Sequence, residues 1–397
     1  MTDHNVNDIH GFNIGFQQAI KRLEAAEITD YNKDLIKRFV SFCRKGNLKQ
    51  CSYTQNLNIL LRIAKRINKD LDKLNEADVD NLLMALETED YSSGYIRNYK
   101  KAIKKLYQWS TDGDSPKFIR ELKVTATYEQ VEPKDLLTDS EVEKLLGTCR
   151  NARDRALIAI LLDSGLRVGA VGSLMIDNVE LNTNFGTIRP NKDSKSNKTF
   201  SKAVPITWSC GYLGQWLSVH PNREEPKSPL WLNLDWPIGD AMSYKNIRAM
   251  IKQTGKRAGI KKKVNPHMFK HRAVSKWILE RFSDQEIKHR ATWAMDSRMM
   301  AIYGHFTSED INSNILEHYG IKQSEITQIK LTNCPRCNIT LPPGARFCPQ
   351  CSLTLDTKAA KEIQEKSELL PEVFEVLQKD PIFLRLLEET AKKIAKH

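Results

Sequence analysis

The sequence of 397 residues contains no long hydrophobic segment. Its longest uninterrupted apolar run is 156–162, whereas a helix that crosses a membrane needs ~20 apolar residues. The first residues, MTDHNVNDIH, do not combine a basic stretch with an apolar one, so we expect no signal peptide. A membrane protein and a secreted disulfide-rich scaffold are therefore both disfavoured, and a cytoplasmic location is expected.

Acidic residues are fewer than basic ones. The chain has 49 Asp and Glu against 61 Lys and Arg, which gives a formal net charge of +12. Because 28% charged and 40% hydrophobic residues are ordinary values for folded domains, the excess does not indicate a disordered basic tail. The segment 245–298 alone carries 15 basic and 4 acidic residues. A basic excess of this kind favours nucleic acid as the partner.

Cysteines are few outside one short segment. Four of the eight are scattered and are interpreted as small buried hydrophobic residues: Cys43, Cys51, Cys149 and Cys210. The others form two C-x-x-C pairs: Cys334, Cys337, Cys348 and Cys351. Four thiolates spaced in this way can converge on one tetrahedral Zn²⁺ at Zn–S distances of ~2.3 Å. The alternatives are a disulfide pair or four unrelated thiols, and the expected absence of secretion disfavours disulfides. We predict a structural zinc-ribbon-like segment at 331–355.

The N-terminal third has the periodicity of helices. Apolar residues recur at i, i+3, i+4 and i+7 at Leu57, Leu60, Leu61 and Ala64. Segments 74–86 and 95–109 show a similar helical pattern, and Ser92 or Ser93 can cap the helix at 95–109. We expect a flexible N-terminus at 1–12, a helical domain at 13–112 and a linker at 113–133.

One helix of this domain is rich in basic residues. The segment 95–109 interleaves tyrosines with Arg97, Lys100, Lys101, Lys104 and Lys105. Such a helix either presents a solvated charged face over an aliphatic stripe or lies on DNA phosphates. Taken alone, the segment favours neither interpretation.

The central region begins with helical segments and then changes period. Thr138 or Asp139 can cap a helix there, and the apolar segment 152–166 follows. Segments 185–190 and 200–206 read as two strands of a β-hairpin around a lysine-rich loop. Helices resume at 211–320, and the tail at 356–397 is read as short amphipathic helices that dock on a neighbour.

Three segments of the central region bring together a set of polar and aromatic residues. SGLRVGAVGSL contains Arg167, NPHMFKHRA contains His267 and Lys270, and RATWAMDSRMMAIYGHFTSED contains Trp293 and Tyr303. Each residue alone has a more ordinary explanation, since a lone Arg is usually on the surface and a lone Trp or Tyr is usually in the core. Their order along the chain is what carries information.

These segments resemble the tyrosine recombinases, or phage-type integrases, and in particular their archaeal branch. The first box of that family, "tG-x-R-x-x-E-x-x-x-L", is similar to 164–174, with Ala170 at the acidic position. The second, "H-x-L-R-H", matches 267–271 with Lys270 in place of arginine. The third, a His or Trp before "Y-x-H-L-S", matches Trp293 and 303–307, and the hairpin is similar to "K-T-G-x-x-R-x-V-P". The resemblance covers about 130–320.

The resemblance implies a mainly α fold with a small antiparallel β-sheet. A helical SAM-like core-binding domain would precede a catalytic domain at 134–325. It also implies attack of the tyrosine hydroxyl on double-stranded DNA, which leaves a 3′-phosphotyrosyl bond and a free 5′-hydroxyl. The enzyme would act as a homotetramer on paired sites, associated with the nucleoid, and would need no catalytic metal or nucleotide. Zinc would be structural only.

Residue roles follow from the same resemblance. Arg167 would clamp the non-bridging phosphate oxygens, with Lys270 at the position of the second arginine. Trp293 would donate its indole N–H to the phosphate, and His267 would assist proton transfer. Lys198 would protonate the leaving 5′-oxygen. Tyr303 would be the nucleophile.

Several alternatives stay open. Lys195 could replace Lys198, Tyr319 is a second candidate nucleophile, and Arg272 could take the second arginine position, although it should face away from Lys270 on a helix. Lys270 in place of arginine is not a conservative change at a site that binds phosphate bidentately. A catalytically weak or inactive DNA-binding relative is therefore the main alternative function. A zinc-ribbon regulatory protein and a type IB topoisomerase-like relaxase are further alternatives.

Overall fold

The computed structural model describes residues 6–125, 131–195, 202–235, 238–303 and 333–355. Lys198, His305 and Tyr319 lie outside these ranges, as does the predicted tail at 356–397. Within them the chain is mainly helical with one small antiparallel sheet, which confirms the predicted fold class. None of the described helices is long and apolar enough to cross a membrane.

Six helices form the N-terminal domain: α1 (Phe12–Glu24), α2 (Asp30–Lys45), α3 (Gln50–Arg66), α4 (Glu76–Thr88), α5 (Ser93–Ser110) and α6 (Lys117–Glu121). Their apolar faces close over a core drawn from Ala19 through Ile119. The Ser92 hydroxyl accepts from the Tyr95 amide, so the predicted cap of α5 is present. Asn75 and Asp78 form a reciprocal capping box at α4.

The region predicted to be the catalytic domain, called the catalytic region below, contains seven more helices and the sheet. The helices are α7 (Asp139–Gly147), α8 (Ala152–Ser164), α9 (Val168–Gly172), α10 (Cys210–Ser218), α11 (Tyr244–Arg257), α12 (Pro266–Leu279) and α13 (Asp284–Arg290). Short 3₁₀ helices occur at Val6–Asp8, Pro133–Asp135, Ile176–Asn178 and Arg298–Tyr303. Helix α8 is the central element, because its residues are buried on every side. Thr138 caps α7 in a capping box with Glu141.

The sheet has three strands, in the order β1 (Val179–Leu181), β2 (Gly186–Ile188) and β3 (Val204–Ile206). The predicted hairpin is β2 and β3, paired antiparallel with Ile188 opposite Val204. Strand β1 was not predicted, because it is short and largely exposed. Pro205 is tolerated because β3 is an edge strand.

Residues 6–12, the described part of the segment predicted to be flexible, pack against the rest of the chain. Ile9 is 2% exposed and belongs to the core of the catalytic region. The Tyr244 amide donates to the Ile9 carbonyl at 2.8 Å, and the Lys195 amide donates to the Asn7 carbonyl at 2.7 Å. Residues 6–10 therefore pack on the catalytic region before the chain enters the helical domain.

The linker predicted at 113–133 also needs correction. Its first part contains α6, whose Ile119 side chain is fully buried in the N-terminal core. The Lys104 ammonium donates to the carbonyls of Arg120 and Leu122 at the end of that helix. The helical domain thus extends past residue 112, because α6 completes its core.

The cysteine-rich segment packs on the catalytic region. Cys334, Ile339, Leu341 and Cys348 are buried in the same core cluster as α8. The Gln215 amide of α10 donates to the Pro349 carbonyl at 2.6 Å. A β-carbon at Gly211 would lie 3.2 Å from Pro349 and Gln350, so α10 needs a small residue where the segment sits. The segment and the catalytic region share one core.

Candidate functional site

Arg167 follows a tight turn that joins α8 to α9. Gly165 has φ of +56°, a left-handed conformation that glycine adopts without strain. A β-carbon there would also lie 2.5 Å from Cη2 of Trp277. Arg167 is the N-cap residue of α9. Its Nη1 is buried and has no hydrogen-bond partner among the described residues, which leaves a cationic donor available for a ligand.

Trp293 provides a second donor of this kind. Its side chain is 4% exposed, and its Nε1–H is buried without a partner among the described residues. Its ring lies 6.1 Å from that of Tyr303, centroid to centroid. Buried polar groups are normally paired, so two unpaired donors beside one tyrosine indicate a place for an oxygen-rich ligand.

Lys270 points inward from α12. Its ammonium donates to the Gly165 carbonyl at 2.7 Å and to the Ala291 carbonyl at 3.0 Å, and lies 5.1 Å from the Trp293 ring centroid. Burial, and then the charge of Arg167, lowers the pKa of Lys270 well below its usual value. At 3% exposure it connects the backbone next to Arg167 with the backbone next to Trp293. The sequence prediction gave it only the position of a phosphate-binding arginine.

Tyr303 ends the last described helical turn and is 3% exposed. Its hydroxyl lies 2.8 Å from Nδ1 of His271. Burial raises the pKa of Tyr303, and the nearby guanidinium of Arg167 acts in the opposite direction. A buried phenol of this kind needs both positive charge and a proton acceptor before it can attack.

His271 was not among the predicted catalytic residues. It lies one turn after His267 on α12, and the two rings are 4.6 Å apart in an edge-to-face arrangement. Burial lowers the pKa of His271 to about 4, with smaller effects from His267 and Lys270. The sequence signal was present, since residues four apart share a helix face, but only the position of Tyr303 distinguishes the two histidines.

The structure shows where two of the alternative site residues, Arg272 and Lys195, are bound. Arg272 faces away, as expected, because its guanidinium donates to the Leu137 carbonyl and pairs with Asp139. Lys195 donates from its ammonium to Oδ1 of Asn13 at 2.9 Å, so in this structure it binds α1. Lys198 and Tyr319 are outside the described residues.

The predicted DNA-binding residues on α5 do not form one uniform face. Lys101 is exposed, whereas Lys104 is held at the end of α6. The others are half-buried: Arg97, Lys100 and Lys105. A phosphate-binding role stays a prediction for this helix, and it is weakest at Lys104.

The four clustered cysteines form a candidate metal site. The Sγ atoms of Cys334, Cys337, Cys348 and Cys351 all lie within 4.8 Å of one another. The Cys334–Cys351 and Cys337–Cys348 pairs are 3.6 and 3.5 Å apart, near the ~3.8 Å expected for sulfurs around a tetrahedral ion with Zn–S of ~2.3 Å. The amides of Arg336 and Cys351 donate to sulfur within the cluster. The donor set and spacing fit one zinc ion.

Comparison with known proteins gives consistent results. Residues 135–310 match the model of the phage integrase family. The tyrosine recombinase XerA of Pyrococcus furiosus is 26% identical over 249 residues, which is 61% of this chain and 82% of the relative. Tyrosine recombinase XerC of Chlamydia caviae is 23% identical over 282 residues, covering 67% of this chain and 84% of the relative.

Solved structures share the fold. The XerH site-specific recombinase bound to its difH substrate superposes with a TM-score of 0.52 at 17% identity, over 78% of this chain and 96% of that one. A lambda integrase tetramer bound to a Holliday junction has a TM-score of 0.53 at 9% identity, covering 68% and 76%. At these identities the likeness establishes the architecture alone.

Proposed function

We propose that this chain is a site-specific recombinase of the tyrosine recombinase type, which cuts and rejoins double-stranded DNA through a bond between Tyr303 and the 3′-phosphate. The observation that carries the proposal is the pair of unpaired buried donors, on Arg167 and Trp293, close to the Tyr303 side chain. A phosphate diester supplies the acceptor oxygens that both donors lack.

The proposed reaction starts with attack of the phenol oxygen on phosphorus. The pentacoordinate transition state carries extra negative charge on its non-bridging oxygens, which Arg167 and Trp293 would stabilise in a site that excludes water. The 5′-oxygen leaves with a proton from a hairpin lysine. Lys198 is the preferred donor, because Lys195 is bound to Asn13. The phosphotyrosine retains the bond energy for rejoining, so the proposed reaction uses no metal or nucleotide.

Lys270 is proposed to hold the backbone of this site in place. By holding the carbonyls of Gly165 and Ala291, it fixes the segments that carry Arg167 and Trp293. A lysine performs this role without the planar fork of an arginine, because two carbonyl oxygens at different positions suit a compact ammonium. His267, exposed one turn before His271, remains a candidate for contact with the DNA or for proton transfer.

The proposed partner is double-stranded DNA at a specific site, in the nucleoid. The basic excess at 245–298 supplies charge next to the site, and α5 would bind phosphates on the helical domain. The XerH recombinase with a similar fold was solved bound to DNA, and the lambda integrase was solved as a tetramer on a Holliday junction. We propose the same substrate class and a homotetramer on paired sites, with zinc held by the cysteine cluster in a structural role.

The experiment uses nicked duplexes that trap the cleaved state. Sites are selected from a random-sequence library by binding to the full chain, and adducts are resolved on denaturing gels. The unmodified chain and Tyr319→Phe should form a covalent adduct, whereas Tyr303→Phe should bind the same DNA and form none. An adduct that survives Tyr303→Phe overturns the choice of nucleophile. Specific binding without any adduct would instead identify a relative that no longer cleaves.

A further inference from the structure

We propose that His271 is a catalytic residue that accepts the phenol proton of Tyr303 as this tyrosine attacks the phosphate. The inference rests on the proposed function, since it assigns a role within the same site. It differs from the sequence prediction, which gave proton transfer to His267.

The geometry selects His271. Its Nδ1 lies 2.8 Å from the Tyr303 hydroxyl, the ordinary length of an O–H···N hydrogen bond. Arg167 and Trp293, which flank the same tyrosine, carry only donors and cannot take a proton. The His267 ring packs edge-to-face with the His271 ring at a centroid distance of 4.6 Å, and the His267 side chain is exposed.

The surroundings keep the His271 ring neutral. Burial, and then the charges of His267 and Lys270, disfavour the imidazolium and bring the pKa to about 4. With the phenol donating to Nδ1, the neutral ring carries its own hydrogen on Nε2. Because these groups disfavour the imidazolium, the charged ring formed on attack is a transient state.

The step is balanced within the proposed reaction. The Tyr303 O–H bond breaks as the Nδ1–H bond forms, and the phenol oxygen forms the O–P bond. The P–O5′ bond breaks, its electron pair stays on O5′, and the hairpin lysine supplies a proton there. In the rejoining step the 5′-hydroxyl gives its proton back to the lysine as it attacks phosphorus, the bond between phosphorus and the phenol oxygen breaks, and His271 returns its proton to that oxygen.

The test combines a histidine substitution with a more acidic nucleophile. In His271→Asn the amide oxygen can keep the hydrogen bond, but it cannot be protonated near neutral pH. We expect adduct formation to slow by about 10²- to 10⁴-fold with DNA binding unchanged. Replacing Tyr303 by a fluorinated tyrosine, whose phenol loses its proton more readily, should shrink that defect by about tenfold or more. His289→Asn, an exposed histidine on α13, is the matched control and should cleave normally.

A second substrate separates attack from departure of the leaving group. A 5′-bridging phosphorothiolate releases a thiolate that needs no proton, so it should relieve a Lys198→Ala defect and leave the His271→Asn defect in place. If His271→Asn slows adduct formation equally with tyrosine and fluorotyrosine, His271 has a packing role and the inference is overturned. Normal cleavage by His271→Asn would also overturn it. An unmodified chain that forms no adduct on either substrate overturns the proposed function, and the role of His271 with it.

Discussion

The two main regions of the molecule build their cores in different ways. The helical domain closes on itself, because every residue of its core cluster comes from one uninterrupted part of the chain, Ala19 to Ile119. The catalytic region also uses Ile9 from before the helical domain and Cys334 to Cys348 from far beyond α13. A boundary drawn on the sequence therefore describes the first core well and the second poorly.

This difference has a consequence for stability. A perturbation inside the helical domain should stay there, whereas the catalytic region should respond to changes at both distant segments. Hydrogen exchange, followed separately in α3 and α8, measures the two regions in one sample.

The largest effect is expected from loss of the metal site. Cys337→Ser should release the zinc, since structural zinc sites contribute ~10–16 kcal/mol of apparent binding free energy in isolated peptides. Because the cysteine segment is part of the catalytic core, protection should fall in α8 and remain unchanged in α3. Cys51→Ser, in the helical domain, is the matched control and should keep about one zinc per chain by metal analysis. A metal-free unmodified chain would contradict the zinc site, and a fall in protection confined to 333–355 would contradict the shared core.

A smaller effect is expected at the N-terminus. Ile9→Ala should destabilise the catalytic region by about 2–5 kcal/mol, because the buried isoleucine leaves a cavity between Gly172 and Ile247. Ile14→Ala on α1 is the control, since that side chain is 39% exposed and its loss should change little. Hydrogen exchange in α8, followed over a urea titration, measures how much each substitution changes the free energy of unfolding of the catalytic region. Equal effects of the two substitutions would show that residues 6–10 do not belong to the catalytic core.

The smallest effect is a difference in acid sensitivity. His220 is buried, and burial lowers the pKa of its ring below the usual value. The unfolded chain then binds more protons as pH falls through ~6.5, so the catalytic region should lose stability from that point downward. His271 contributes with the same sign. The segment 13–112 contains no histidine, so the helical domain should not share this loss.

The control for this comparison is His220→Gln. It retains a donor for the Pro229 carbonyl but has no group that titrates in this range. Stability of the catalytic region, measured at pH 7 and pH 5, should differ less in this variant than in the unmodified chain. The prediction is wrong if the helical domain and the catalytic region lose hydrogen-exchange protection equally between pH 7 and pH 5.

Local features were the part that the sequence could predict. The Ser92 cap, the Thr138 capping box and the pairing of β2 with β3 depend on neighbouring residues, so their patterns are visible in the chain. The cysteine cluster was also predictable, because the C-x-x-C spacing nearly fixes the ligand geometry.

Features that depend on distant contacts were not predictable. Nothing in the sequence around Ile9 indicates that it packs beside Gly172. The direction of Lys270 depends on where the carbonyls of Gly165 and Ala291 lie, and the choice of His271 over His267 depends on Tyr303. A motif identifies which residues meet in a site, but not which atoms of those residues are in contact.

The contact between Ile9 and Gly172 also bears on how such sequences diverge. A β-carbon at Gly172 would lie 2.5 Å from Cδ1 of Ile9 and 2.8 Å from Cδ1 of Ile247, so a shorter side chain at 9 favours alanine at 172. Among relatives that keep this N-terminal segment, the two positions should therefore vary together, with the larger residue at one matched by the smaller at the other. The same pairing should appear in a library in which both positions are randomised and folded variants are selected.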